Sequence, residues 1–230
     1  MQKNKQKYTG DENMLLNEAF FAIKDLVGIQ FKDIFNESQL EDIIKNKGKS
    51  GQILELAIGL KNTNVTLDFE DGELKTNKCN AKGKPLETMF ITQISGIIDE
   101  LLDEKTFEKT KLYEKINNLL YVPISKEGNP KEWFIIDAIH IDLKLDKYSF
   151  VAKQLEKDYY SICSQLREHI ETSEDGFIHT SSGDFIQIRS KDSKPYHAIY
   201  SKKYGREVSN KNHAFYFKKE FMNYFLNKNK

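Results

Sequence analysis

Ten residues, Leu67 to Thr76 (LDFEDGELKT), constrain this chain more than any other stretch. Asp71-Gly72 is a strong short hairpin signal, because both central positions of a type I′ turn require positive φ. A two-residue turn pairs Glu70 with Glu73, Phe69 with Leu74, and Asp68 with Lys75. Cross-strand partners share a face, and so do residues two apart along a strand. Asp68, Glu73 and Lys75, with Glu70 nearer the turn, are therefore expected on one face, and Phe69 and Leu74 on the face that packs on a core. Two carboxylates and an ammonium on a sheet suit metal-assisted hydrolysis of a phosphodiester. The same Asp-x4-Glu-x-Lys pattern also describes a solvated hairpin of alternating charges, since 30% of the residues are charged. The flanking sequence decides between the two readings.

A chain of 230 residues can bury a substantial core as one domain, either simple or two-lobed. Its 39% hydrophobic and 12% aromatic content exclude a disordered polymer. The sequence contains no apolar run of membrane-spanning length, and MQKNKQKYTG has no signal-peptide core, so no membrane partner is expected. Two distant cysteines, Cys79 and Cys163, suggest neither a disulfide scaffold nor a zinc site, which makes a reducing cytoplasm the simplest compartment. The net charge is zero but unevenly spread: from Arg189 onward there are eleven Lys and Arg against three acids. That asymmetry suits a lobe that meets nucleic-acid phosphate, or a lysine-rich surface that keeps the protein in solution.

Residues 1–10 read as a flexible leader and 11–230 as a single domain, with its basic part at about 185–230. Helical spacing predicts helices over Asn13–Val27, Ser38–Lys45, QILELAIGL, Ile97–Leu102, Phe107–Ile116, Phe150–Glu171 and Lys218–Leu226. Strands are predicted at Val65–Phe69, Glu73–Asn77, Thr88–Ser95, Leu119–Ile124, Trp133–Leu143 and Phe185–Arg189, with a polar Lys- and Tyr-rich stretch after the last. The class is mixed α/β. Glu55, inside ILELAIGL, either reaches the surface or faces a cation, because glutamate is rarely buried alone.

Several blocks in fixed order carry a further signal: GQILELAIGL, DF, GELKT, GKPLETMFI, YVPI, DFIQIRSK and AFYFKKEF. Together they resemble the MutH family, which includes a methyl-directed mismatch-repair nickase and related type II restriction enzymes. The resemblance runs from about Leu15 to Phe225. It implies a PD-(D/E)xK fold, with a mixed central sheet flanked by helices and two lobes forming a DNA cleft. Asp68 and Glu73 would hold Mg²⁺ with the main-chain carbonyl of Leu74, and Lys75 would polarise the attacking water or the scissile phosphate. Glu55 and Lys115 match further catalytic positions. Lys47, Arg189, Lys191 and Tyr216 match DNA-contacting ones; Arg189 is placed to read a base and Tyr216 to sense adenine methylation. Lys218 and Lys219, in FYFKK, suit phosphate contacts.

The interval between Asp68 and Glu73 is shorter than in the repair enzyme of that family, by an even step that preserves strand parity. KGKSG at 47–51 lacks the bulky apolar residue that follows the glycine there. These departures favour a Mg²⁺-dependent type II restriction endonuclease acting on double-stranded DNA at a GATC-like site. The alternative is a mismatch-repair nickase that cuts hemimethylated GATC with a MutL-like activator. A DNA-binding protein that has lost catalysis is the third reading, disfavoured because every catalytic position carries the expected residue type.

Overall fold

The apolar run NLLYVPIS forms the strand Asn118–Ser125 (β3), and every residue after Asn118 is buried. Burial on both faces explains why the run shows no polar alternation. Leu119 and Tyr121 face one hydrophobic core. Leu120, Val122 and Ile124 face a second, as the two-residue period of a strand requires. The structure, a computed structural model, describes residues 15–45, 54, 68–191 and 194–228. The expected leader at 1–10, Lys47, Glu55 and its helix apart from Leu54, and residues 65–67 of the expected hairpin lie outside the described residues.

Glu73–Cys79 (β1) runs parallel to β3, while Phe134–Ile135 (β4) and Ile139–Asp142 (β5) run antiparallel to it. The helices Leu16–Lys24 (α1), Phe31–Ile34 (α2) and Glu37–Lys45 (α3) supply Leu16, Ile23, Phe31 and Ile43 to the smaller core, where Phe69 and Leu74 also pack. A second, antiparallel sheet has the order Met89–Gln93 (β2), His213–Phe217 (β10), Ile186–Ser190 (β7), Ser181–Ser182 (β6). Ile199–Ser201 (β8) and Arg206–Ser209 (β9) form a separate ribbon. Ile98–Leu102 (α4), Lys111–Ile116 (α5), Ser149–Thr172 (α6) and Lys219–Lys228 (α7) pack on the larger core. The expected mixed α/β class, with a mixed sheet flanked by helices, is what forms. Among the described residues, no helix is long and apolar enough to cross a membrane.

The expected type I′ turn at Asp71-Gly72 does not form, since neither residue adopts positive φ. Among the described residues, β1 pairs with β3. Residues 68–71 make a bend, closed by the Phe69 N–H donating to the Gly72 carbonyl at 2.9 Å. Asp71 is held from two sides. Its carboxylate accepts from the Leu16 N–H at 2.8 Å, one of the open donors at the start of α1, and its carbonyl accepts from Asn118 Nδ2 at 2.7 Å. Gly72 is needed for room. A Cβ there would lie 2.4 Å from Leu16 Cδ1 and 2.6 Å from the Asn118 carbonyl oxygen.

The strand expected over Trp133–Leu143 is split into β4 and β5. The break lies alongside Pro123 of β3, which has no N–H to continue an antiparallel ladder and only accepts, from the Ile136 N–H at 2.9 Å. The polar Lys- and Tyr-rich stretch after β7, for which no strand is predicted, contains the ribbon β8–β9 and the strand β10. All five residues of β10 are buried, so it carries no alternation to read.

The long helix α6 holds one buried charge. Asp158 is 2% exposed. Its carboxylate accepts from the N–H groups of Asp184, Phe185 and Ile186 at 2.9, 2.6 and 3.1 Å, and from Gln154 Nε2 at 2.7 Å. It therefore caps the backbone that leads into β7. Gly183 permits the approach, since a Cβ there would lie 2.3 Å from Asp158 Cγ.

Candidate active site

Residues two apart on β1 share a face, and the parallel register sets Glu73 beside Leu119 and Lys75 beside Tyr121, on the side of the larger core. Glu73 is 4% exposed. A carboxylate so deeply buried requires partners, and it has two ammonium groups. Lys75 Nζ lies 2.6 Å from Glu73 Oε1, while Lys115 Nζ lies 3.0 and 2.9 Å from Oε1 and Oε2. Lys115 comes from α5, whose start is fixed by Thr110, its hydroxyl accepting from the Tyr113 N–H at 3.1 Å.

Asp68 reaches the same place from the bend before β1, its carboxylate accepting from the Leu74 N–H at 2.9 Å. Burial, reinforced by the neighbouring Glu73 charge, raises its pKa, while Lys75, the Leu74 N–H and Lys115 act in the opposite direction. Asp68, Glu73, Lys75 and Lys115 thus lie near one another, Asp68 from a bend, Glu73 and Lys75 from β1 and Lys115 from α5. Glu73, Lys75 and Lys115 line a pocket of about 410 Å³, with Lys111 and residues of β2 forming other parts of its wall.

A second cluster lies across the other sheet. Arg189 on β7 donates to Thr88 Oγ1 at 2.8 Å, and its guanidinium sits 4.3 Å from the centre of the Tyr216 ring. Tyr216, on β10, is 8% exposed and meets Phe90 of β2 edge to face at 5.8 Å. Burial raises the Tyr216 pKa, and Arg189 opposes the rise. Lys191 Nζ stands 4.3 Å from the centre of the Phe90 ring. Arg189, Lys191 and Tyr216 therefore assemble, joined by two residues the sequence reading passed over, Thr88 and Phe90. Both lie in the strand expected at Thr88–Ser95, and each is less buried than the Met89 between them. Phe90 also lines the pocket of Glu73 and Lys75, which connects the clusters.

The two remaining basic residues stand apart. Lys218 Nζ donates to the Gly183 carbonyl at 2.8 Å, at the β6–β7 turn. Lys219 is exposed at the first position of α7.

A mixed α/β protein with a two-acid, two-lysine cluster beside an arginine–tyrosine–phenylalanine cluster has a specific chemical character: it pairs hard oxygen donors with cations suited to a polyanion. The family described as "DNA mismatch repair enzyme MutH" matches residues 60–149, the span that carries Asp68, Glu73, Lys75 and Lys115. The DNA mismatch repair protein MutH of Buchnera aphidicola subsp. Baizongia pistaciae is 27% identical over 215 residues, covering 91% of this chain and 92% of the relative. The protein of that name from Actinobacillus pleuropneumoniae serotype 5b is 26% identical over 197 residues, covering 80% and 78%. That from Vibrio cholerae serotype O1 is 25% identical over 195 residues, covering 76% and 77%. The chain is thus similar to MutH proteins along most of its length, and to the MutH family model over residues 60–149.

Proposed function

We propose that this protein is a divalent-metal-dependent DNA endonuclease that acts in mismatch repair, nicking the unmethylated strand of hemimethylated GATC on activation by a MutL-like partner. The observation that carries the nuclease reading is the convergence of Glu73, Lys75 and Lys115 at one pocket, with Asp68 bonded to the neighbouring Leu74 N–H. The repair role is favoured by the names of relatives that align along most of the chain. This reverses the order the sequence suggested, in which restriction came first. The restriction reading retains the sequence departures, the short interval from Asp68 to Glu73 and the KGKSG loop at 47–51. In either reading we take residues 11–230 as one domain of PD-(D/E)xK type, with the two cores as its lobes and the basic part at about 185–230.

The donor set fits Mg²⁺. Among the described residues no group of three or more His, Cys, Asp or Glu side chains gathers as a metal cage, but Mg²⁺ commonly uses one or two carboxylates together with waters and substrate phosphate. Asp68 and Glu73 would supply those oxygens; burial, and then the Glu73 charge, raise the Asp68 pKa, and a bound cation would offset both. Asp68 and Glu73, with the Leu74 carbonyl, would hold the ion, which supplies Lewis-acid charge at the scissile phosphate. Lys75 spends one of its three donors on Glu73, leaving others for a phosphate oxygen or the attacking water. Lys115 holds Glu73 in orientation. Glu55 and Lys47 keep the catalytic and DNA-contacting roles their sequence positions imply. Arg189, braced by Thr88 and Tyr216, presents its remaining donors to a base edge, and Lys191 to a phosphate. Lys219 has the exposure a phosphate contact needs, whereas Lys218 reaches DNA only by giving up the Gly183 carbonyl.

A plasmid assay tests the reading. With Mg²⁺ and hemimethylated GATC, the protein alone is expected to nick slowly and a MutL-like protein to accelerate it. Complete linear fragments from the protein alone would establish restriction instead, and no cleavage of any substrate would remove the nuclease assignment. Arg189→Ala is expected to cost about 1–3 kcal/mol of discrimination, measured as the ratio of binding to GATC and scrambled duplexes. An unchanged ratio would take Arg189 out of base reading.

A further inference from the structure

Residues four apart on a helix share a face, so Lys111, at the start of α5, stands on the same side as Lys115. Both line the pocket that holds Glu73 and Lys75. Their situations differ. Lys115 is spent on Glu73, whose two oxygens already receive Lys75 and Lys115. Lys111 is exposed, and its ammonium has no ion pair among the described residues. It is also the one residue common to this pocket and to a neighbouring groove of about 550 Å³, where Lys109, Lys144, Glu108 and Glu114 contribute walls of mixed charge. An unspent cation on the ridge between a reaction pocket and the groove beside it is placed for an anion that continues out of the pocket.

We propose that Lys111 binds the phosphate adjacent to the scissile one on the cleaved strand, and so sets the register of that strand in the pocket. The inference rests on the nuclease reading above. One helical turn, about 5.4 Å along the axis, separates Lys111 from Lys115, enough to direct the two ammonium groups at different phosphates. The chemistry of the contact is that of a point charge, which fixes position and carries no base preference.

The test is the salt dependence of binding by the full chain to a fluorescent GATC duplex and to a scrambled one, titrated with KCl. Each neutralised phosphate adds about 0.9 to the slope of log K against log salt. Lys111→Ala is expected to reduce that slope by about one and to weaken binding equally on both duplexes, with Lys111→Arg restoring the slope. A merely structural role would not move the slope. A steep wild-type slope left unchanged in Lys111→Ala would overturn the assignment of Lys111 alone. A wild-type protein with no salt-dependent duplex binding would overturn the DNA reading itself, and this inference with it.

Discussion

Lys75→Ala, assayed on GATC plasmid in Mg²⁺, is expected to lose at least about a hundredfold in cleavage rate while binding the same DNA in Ca²⁺ nearly as well as the wild type. The geometry separates the two effects. Lys75 is 13% exposed at its side chain and bonded to Glu73, so it contributes little to the outer surface that a duplex first meets. Removing it leaves Glu73 still paired with Lys115 at 2.9 Å, so the buried acid does not become an isolated charge and the strand persists. Asp68→Ala is expected to behave alike, for the complementary reason: it takes away one of the two proposed metal-binding carboxylates. Full activity in the Asp68 variant would reject the metal assignment, and a Lys75 variant that lost DNA binding in proportion to cleavage would recast Lys75 as a binding residue.

The second large effect concerns stability. Asp158→Ala strips the acceptor from three backbone N–H groups, those of Asp184, Phe185 and Ile186, at a place that is 2% exposed. Each buried donor left unmet costs about 1–3 kcal/mol, and water entering the vacated volume offsets part of the sum. A net loss of about 3–5 kcal/mol is expected, measured by urea unfolding of the two proteins under identical conditions. Asp158→Asn, whose amide oxygen still accepts, is expected to lose less. A loss below about 1 kcal/mol in the alanine variant would show that the Asp158 cap contributes little to holding the backbone before β7.

The elements that were read correctly are those whose periodicity belongs to one buried face. α6 shows this best: Leu155, Tyr159, Ile162 and Leu166 are all buried along the helix the spacing predicts. β3 was found because a short apolar run bounded by polar residues has few alternatives. Readings failed where tertiary partners outweighed local preference. Asp71-Gly72 favours a type I′ turn locally, but the open end of α1 and the Asn118 side chain hold Asp71 in a bend instead. β10 escaped notice because both its faces are covered. The site was more legible than the fold around it: Glu73 and Lys75 need only a strand to share a side, and any strand partner delivers that. Thr88 and Phe90 were missed because nothing in a linear reading brings β2 against β7 and β10.

The central strand has a mechanical consequence. Because Leu119 and Tyr121 belong to one hydrophobic mass while Leu120, Val122 and Ile124 belong to the other, β3 is a party wall between two rooms. Neither room can be emptied without exposing a side of the wall that the other relies on. Damage to the packing around α1 is thereby transmitted to the helices on the far side, and the acid–lysine pocket, built on the strand next to that wall, feels both.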